Sequence, residues 1–138
     1  MEKRKILVID DEVYIVELLA ISMKNYGYEC IPAYSGEEGL ALAKSEQPDL
    51  ILLDIMLSDM DGMETCRQLK ADPAVSQIPV IMLSARCDEA DKLMGLETGA
   101  DDYVTKPFGI GELFARIGVV LRRMECKDQT EISISHDV

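Results

Sequence analysis

Short apolar runs alternate along the chain with longer segments of helical periodicity. Each run has three to five residues, most of them aliphatic or β-branched, which is typical of strands buried on both faces of a sheet. Five such runs occur, at residues 5–9, 29–33, 50–53, 80–83 and 103–105. Because strands that alternate with helices form parallel sheets, the pattern predicts an α/β fold with five strands.

The segments between these runs carry helix signals. In the first segment, apolar residues recur at the spacing of one helix face and Gly27 follows as a stop signal. The second segment opens with a capping box, in which Ser35 is followed three residues later by Glu38. We predict five helices, one before Gly27 and the others near residues 35–46, 63–71, 88–98 and 111–123.

Composition and charge narrow the class of protein. The 138 residues include 14 Lys and Arg against 26 Asp and Glu, a net charge of −12, which argues against nucleic-acid binding by this segment. Residues 1–123 are predicted to form one domain, and residues 124–138 a tail or the start of a linker. The chain shows no signal peptide, no membrane span and no CxxC pair, so a cytoplasmic location is expected.

Polar residues directly follow four of the predicted strands. Asp10 and Asp11 follow the first strand, Asp54 the third, Ser84 the fourth and Lys106 the fifth. In an open parallel sheet, ligands bind outside the carboxyl ends of the strands, where the strand order reverses. The three aspartates are therefore expected to meet there, and such crowding is costly without a cation.

Magnesium fits this set of side chains better than zinc does. Mg²⁺ prefers carboxylate oxygens together with waters and phosphate oxygens. Zinc sites use His and Cys, and neither residue is available near these aspartates. Lys106 adds a positive charge and Ser84 a hydroxyl donor, and both suit a phosphoryl group. The residues alone thus indicate a Mg²⁺-assisted phosphoryl site.

The motifs VIDDE, LLDIMLSDMDG, IMLSA and GADDYVTKPF, in this order, resemble the receiver domain of bacterial two-component response regulators. The resemblance covers residues 3–123. It implies a flavodoxin-like, doubly wound five-stranded parallel sheet of order 2-1-3-4-5 with five helices. It also implies a cis peptide bond between Lys106 and Pro107. Ser58 stands where the family commonly has proline, so the loop after the third strand is expected to be less rigid.

The resemblance also assigns roles to individual residues. It implies that Asp54 is phosphorylated by a histidine kinase and that Lys106 pairs with the acyl phosphate. Its other assignments are a Mg²⁺ site formed by Asp10, Asp11, Asp54 and the backbone carbonyl of Met56, and a switch pair formed by Ser84 and Tyr103. The domain then catalyses only its own phosphorylation and dephosphorylation, and is not an enzyme in the ordinary sense.

The segment from residue 99 to residue 123 is most similar to receivers attached to winged-helix DNA-binding domains. Such receivers form homodimers on phosphorylation through the face of helix 4, strand 5 and helix 5. The resemblance suggests that Lys92 pairs with Glu112, and Asp102 with Arg116, across the dimer. DNA contact is expected only through an effector domain outside this chain, which implies a role in transcription regulation.

Three other functions share part of this sequence pattern. A stand-alone phosphorelay receiver uses the same chemistry without an effector domain. A Mg²⁺-dependent aspartyl phosphohydrolase also uses a strand-end aspartate, but its D-x-D signature is missing, since Asp10 and Asp11 are adjacent. A flavodoxin requires a phosphate-binding loop rich in Ser, Thr and Gly, and none follows Ile9.

Overall fold

The fold is built on a parallel sheet, seen in a computed structural model that describes residues 3–85, 97 and 99–137, with side chains up to residue 125. Its strands are β1 (Lys5–Ile9), β2 (Glu29–Ala33), β3 (Leu50–Asp54), β4 (Val80–Ser84) and β5 (Asp102–Thr105). All four pairings are parallel, and the order is β2-β1-β3-β4-β5. The prediction of five parallel strands is confirmed.

The described residues form helices between and after these strands. They are α1 (Val13–Asn25), α2 (Gly36–Glu46), α3 (Gly62–Ala71) and, after β5, α4 (Ile110–Asp137), which is the fifth helix of the prediction. The predicted cap of α2 is present, because the Ser35 hydroxyl oxygen accepts from the Glu38 N–H at 3.1 Å. The helix expected at residues 88–98 lies outside the described residues.

The last helix is longer than the sequence analysis expected. It was predicted to end near residue 123, but α4 continues to Asp137. Residues 124–137 contain neither proline nor glycine, so no residue there interrupts the helical hydrogen bonds. The division of the chain into a domain and a tail at residue 123 remains a prediction. None of the described helices, α4 included, combines the length and hydrophobicity needed to cross a membrane.

Alternate residues of each central strand point to opposite faces of the sheet, and each face has its own core. On one face, Ile6 and Val8 of β1 pack with buried residues of α1 and α4. On the other, Leu7 and Ile9 pack with buried residues of α2 and α3. Both faces are therefore covered by helices, which leaves the strand ends as the accessible edge of the sheet.

Candidate functional site

Three carboxylates meet where β1 and β3 end. One ligand oxygen from each of Asp10, Asp11 and Asp54 lies within 4.8 Å of the others. Asp10 is fully buried and Asp54 is 4% exposed, whereas Asp11 is partly exposed. β2 pairs with one side of β1 and β3 with the other, so this is the point at which the strand order reverses. The clustering expected from the sequence is confirmed.

Lys106 supplies the positive charge that faces this cluster. Its Nζ lies 3.0 Å from Asp10 Oδ2 and 3.5 Å from Asp54 Oδ2. The backbone holds it there, because the Lys106 N–H donates to the Ser84 carbonyl at 2.7 Å. The peptide bond between Lys106 and Pro107 is cis. The cis bond implied by the resemblance is confirmed. One ammonium group thus bridges two carboxylates that lie far apart in the sequence.

The site changes the protonation of its own members. Burial raises the pKa of Asp54 to about 6, and the negative charge of Asp10 adds to this rise, while Lys106 and the Met56 N–H act against it. Burial by itself lowers the pKa of Lys106, but the charges of Asp10 and Asp54 outweigh that effect, so its pKa is raised overall. Lys106 is therefore charged at neutral pH, and Asp54 is neutralised more readily than an ordinary aspartate.

The two residues assigned to a switch lie near this site in the sheet. Ser84 ends β4 and is fully buried, and its carbonyl holds Lys106. Tyr103 lies in β5 opposite Met82 of β4. Tyr103 is only 7% exposed and belongs to the core on the α2 and α3 face, so its ring already lies inside in this structure.

The loop that follows Asp54 borders a cavity of about 380 Å³ beside the acidic cluster. The Met56 N–H donates to Asp54 Oδ1 at 3.2 Å, while the Met56 side chain is 56% exposed. The loop closes where the Gly62 N–H donates to the Ile55 carbonyl at 2.8 Å. A Cβ atom at Gly62 would lie 2.2 Å from the backbone oxygen of Asp54, so only glycine fits at this position.

The charged residues expected at a dimer face pair within one chain. Arg116 Nη1 lies 3.1 Å from Asp102 Oδ2, and Arg116 Nε lies 3.5 Å from Glu112 Oε1. The resemblance placed the Asp102 and Arg116 contact between two chains, so the cross-dimer pairing requires this internal pair to exchange. Lys92, the expected partner of Glu112, lies outside the described residues.

Two contributors to the site were missed by the sequence analysis. Gly62 was not singled out, although it stands in a motif that was, because sequence spacing does not reveal how closely two backbone segments approach. Asp59 was missed because its carboxylate bonds to backbone groups 22 and 23 residues earlier in the chain. Neither residue leaves a periodic or local signal.

The donor set fits a hard divalent cation. All three clustered side chains offer carboxylate oxygens, two of them are buried, and among the described residues their only ion-pair partner is Lys106, which balances one of the three charges. Buried like charges need a partner, and an oxygen-preferring cation provides one.

A comparison with known families decides what kind of domain carries this site. The sequence profile of the response regulator receiver domain matches residues 6–118. The chain belongs to this family. Because the match includes the acidic cluster and all strand residues except Lys5, the receiver domain accounts for the sheet and its site.

A related protein has a stated role in transcription. The receiver domain is 50% identical over 122 residues to the alkaline phosphatase synthesis transcriptional regulatory protein PhoP of Bacillus subtilis (strain 168). The matched part is 88% of this chain and 50% of that protein. The chain therefore spans half the length of this curated relative.

Solved receiver structures have the same fold. A CheY-like receiver domain protein from Methanospirillum hungatei JF-1 superposes with a TM-score of 0.85 at 28% identity, over 91% of this chain and 99% of that one. The receiver domain of the Francisella response regulator 1452 gives a TM-score of 0.83 at 34% identity, over 88% and 98% of the two chains. The flavodoxin-like α/β architecture is thus shared with experimentally solved receivers.

Proposed function

We propose that this receiver domain takes a phosphoryl group from a histidine kinase onto Asp54 and so acts as the switch of a two-component system. The observation that carries the proposal is the position of Asp54, which lies in a buried acidic cluster with Oδ2 facing the Lys106 ammonium at 3.5 Å. Phosphoryl transfer needs positioning and charge neutralisation more than acid or base groups, and this arrangement supplies both.

Mg²⁺ is the cofactor that this site fits. Asp10, Asp11 and Asp54 would hold it through carboxylate oxygens, with the backbone carbonyl of Met56 as a further ligand. When bound, the ion neutralises negative charge on the phosphoryl oxygens. Its charge also relieves the mutual repulsion of the three carboxylates.

The two carboxylate oxygens of Asp54 have different contacts, and these contacts favour one of them as the oxygen that reacts. Oδ1 accepts the N–H of Met56 at 3.2 Å, which fixes the carboxylate plane. Oδ2 is the oxygen nearest Lys106, and it is the one that attacks phosphorus as the bond from phosphorus to the kinase histidine nitrogen breaks. The electron pair of that bond stays on the imidazole. Lys106 remains protonated and pairs with the phosphoryl oxygens of the new acyl phosphate.

Phosphorylation is proposed to act through Ser84 and Tyr103. The Ser84 hydroxyl, at the end of the adjacent strand, moves to bond a phosphoryl oxygen, and the packing of Tyr103 in β5 follows. The change alters the face that includes β5 and α4, the helix that the sequence analysis numbered fifth. Two copies pair through this face. By analogy with the transcriptional relative, the dimer controls a DNA-binding effector domain outside this chain.

The proposal is tested by incubating the protein with Mg²⁺ and acetyl phosphate and measuring its intact mass. Wild type is expected to gain the mass of one phosphoryl group, and Asp54→Asn is expected to gain none. Asp49→Asn makes the same chemical change at the opposite end of β3 and should be phosphorylated like wild type. An equal gain by Asp54→Asn would place the acceptor elsewhere, and this function would be rejected.

A further inference from the structure

We propose that Asp59 is a positioning residue for phosphoryl transfer, because its carboxylate ties the loop after β3 to the start of α2 and thereby holds the backbone of Met56 at the acidic cluster. The proposal rests on the function proposed above for Asp54. It adds to that function a residue that touches neither metal nor phosphoryl group and acts through the loop.

The tie consists of two hydrogen bonds. Asp59 Oδ1 accepts from the Gly36 N–H at 2.8 Å, and Asp59 Oδ2 accepts from the Glu37 N–H at 3.0 Å. With the Ser35 hydroxyl accepting from Glu38, the first three amide groups of α2 all have a partner. These N–H donors lower the pKa of Asp59, which is the response expected of a carboxylate held in its charged form. The start of α2 is thus capped by Ser35, which directly precedes it, and by Asp59 from a distant loop.

The backbone hydrogen bonds that hold this loop lie at its two ends, so they leave its middle without support. At one end, the Ile55 N–H donates to the Leu83 carbonyl and the Met56 N–H donates to Asp54. At the other end, the Gly62 N–H returns to Ile55. Asp59 lies between these anchors, where the loop borders the cavity beside the cluster. Its bonds to α2 therefore fix the middle of the loop.

Packing supports the same contact. A Cβ atom at Gly36 would lie 2.6 Å from Cγ of Met60 and 2.8 Å from Oγ1 of Thr65. The start of α2 thus packs closely against the side chain of Met60, the residue next to Asp59. Two independent features, a bidentate hydrogen bond and a close glycine contact, join the same loop to the same helix end.

The tie also explains how the loop tolerates Ser58. Receivers commonly have proline there, which restricts the backbone directly, whereas serine does not. In this chain the restriction comes from the neighbouring residue, through a bond to a different element. It follows that proline at position 58 should make Asp59 less necessary.

The test compares Asp59→Ala with Asp49→Ala. The control removes a bond of the same kind, since Asp49 Oδ2 accepts the Lys5 N–H at 2.8 Å, but at the opposite end of the sheet. Mg²⁺ affinity is measured from the rise in melting temperature with added Mg²⁺, and phosphorylation by acetyl phosphate is followed by mass. Hydrogen exchange of the amides of residues 36, 37 and 56–60 reports the tie directly.

For Asp59→Ala, we expect a roughly tenfold weaker Mg²⁺ affinity, as when residues that orient metal ligands are removed. Phosphorylation should slow by a similar factor at low Mg²⁺ and return to about the wild-type rate, within about twofold, at saturating Mg²⁺. Amides 56–60 should exchange faster. Ser58→Pro added to Asp59→Ala should restore affinity and protection, and Asp49→Ala should match wild type in affinity and in both sets of amides.

Two results overturn the proposal. One is wild-type Mg²⁺ affinity in Asp59→Ala, which would limit Asp59 to capping α2. The other is unchanged exchange of amides 56–60, which would mean that the loop does not depend on the tie. Failure of the proposed function looks different, because wild type itself would then take no phosphate, and the exchange measurement would still decide whether Asp59 holds the loop.

Discussion

The surroundings of Asp54 raise its pKa, although the proposed phosphoryl transfer needs the ionised carboxylate. Its pKa of about 6 in the folded protein exceeds the ordinary aspartate value of 3.8 because of burial and the charge of Asp10. The folded state therefore binds this proton more tightly than the unfolded state does. The stability contributed by this group is present at low pH and is lost as the pH rises toward 6.

This protonation predicts the stability of Asp54→Asn. Without Mg²⁺, the variant should be more stable than wild type at pH 7.5, by on the order of 1 kcal/mol, because the amide removes a buried charge. The advantage should shrink as the pH falls from 6 toward 4, where wild type becomes neutral. Urea unfolding of both proteins in EDTA at pH 7.5 and pH 4.5 measures it. An advantage of equal size at both pH values would show that the Asp54 charge is not its cause.

At the residue level, the sequence was sufficient to predict which charged groups meet at the strand ends. Asp10, Asp54 and Lys106 each follow an apolar run directly and Asp11 comes one residue later, so the fold topology alone brings them together. Asp59 could not be found in this way, because its role depends on the distance between a loop and a helix end that are over 20 residues apart. Long-range hydrogen bonds to backbone groups have no sequence pattern.

The junction of β3 and α3 is the element on which the site geometry depends most. In Gly62→Ala, the new methyl group would meet the Asp54 carbonyl, so the junction must shift and carry Asp54, the proposed phosphoryl acceptor, with it. We expect a loss of stability of about 1–3 kcal/mol, as for other overpacked sites, and slower phosphorylation by acetyl phosphate. Thermal unfolding and the mass assay measure the two effects.

Gly111→Ala is the matched control. Gly111 lies in the first turn of α4, and a Cβ atom there meets nothing within 4 Å. Because alanine favours helix, stability should stay equal or rise by up to about 1 kcal/mol, with phosphorylation unchanged. If the two variants lost stability equally, the close contact at Gly62 would not be the reason.

Element boundaries were predictable where a local signal exists. Ser35 and the Asp72-Pro73 pair define an end of α2 and of α3 because capping and proline act over a few residues. The far end of α4 carries no such signal. Its charged and polar residues suggested a tail, but they are also compatible with an exposed helix, and composition cannot distinguish these two states.

For the whole molecule, the proposed homodimer raises the question of how two copies would pair. Arg116 bonds both carboxylate oxygens of Asp102 in its own chain, at 3.2 and 3.1 Å. The proposed dimer needs the same two residues to bond across the interface instead. Exposed ion pairs contribute little stability, so the internal pair is no large obstacle to exchange.

Charge-reversed chains distinguish the two arrangements. After phosphorylation, Asp102→Arg alone and Arg116→Asp alone should each remain largely monomeric, because like charges then face each other in every possible pair. An equal mixture should dimerise, because the mixed dimer restores both cross-chain pairs while each chain still repels internally. Analytical ultracentrifugation measures this. A mixture that stays as monomeric as either variant would assign the pair to a single chain.

Lys106 reaches the acidic cluster from the end of β5, which lies at the edge of the sheet and, among the described strands, pairs with β4 alone. A strand held on one side opens more easily than those in the middle. Local opening of β5 would therefore move the Lys106 ammonium group away from the cluster, while Asp10 and Asp54 stay in place at the ends of the inner strands β1 and β3. We therefore expect competence for the proposed phosphorylation to be lost in a partial opening, before the hydrophobic layers come apart.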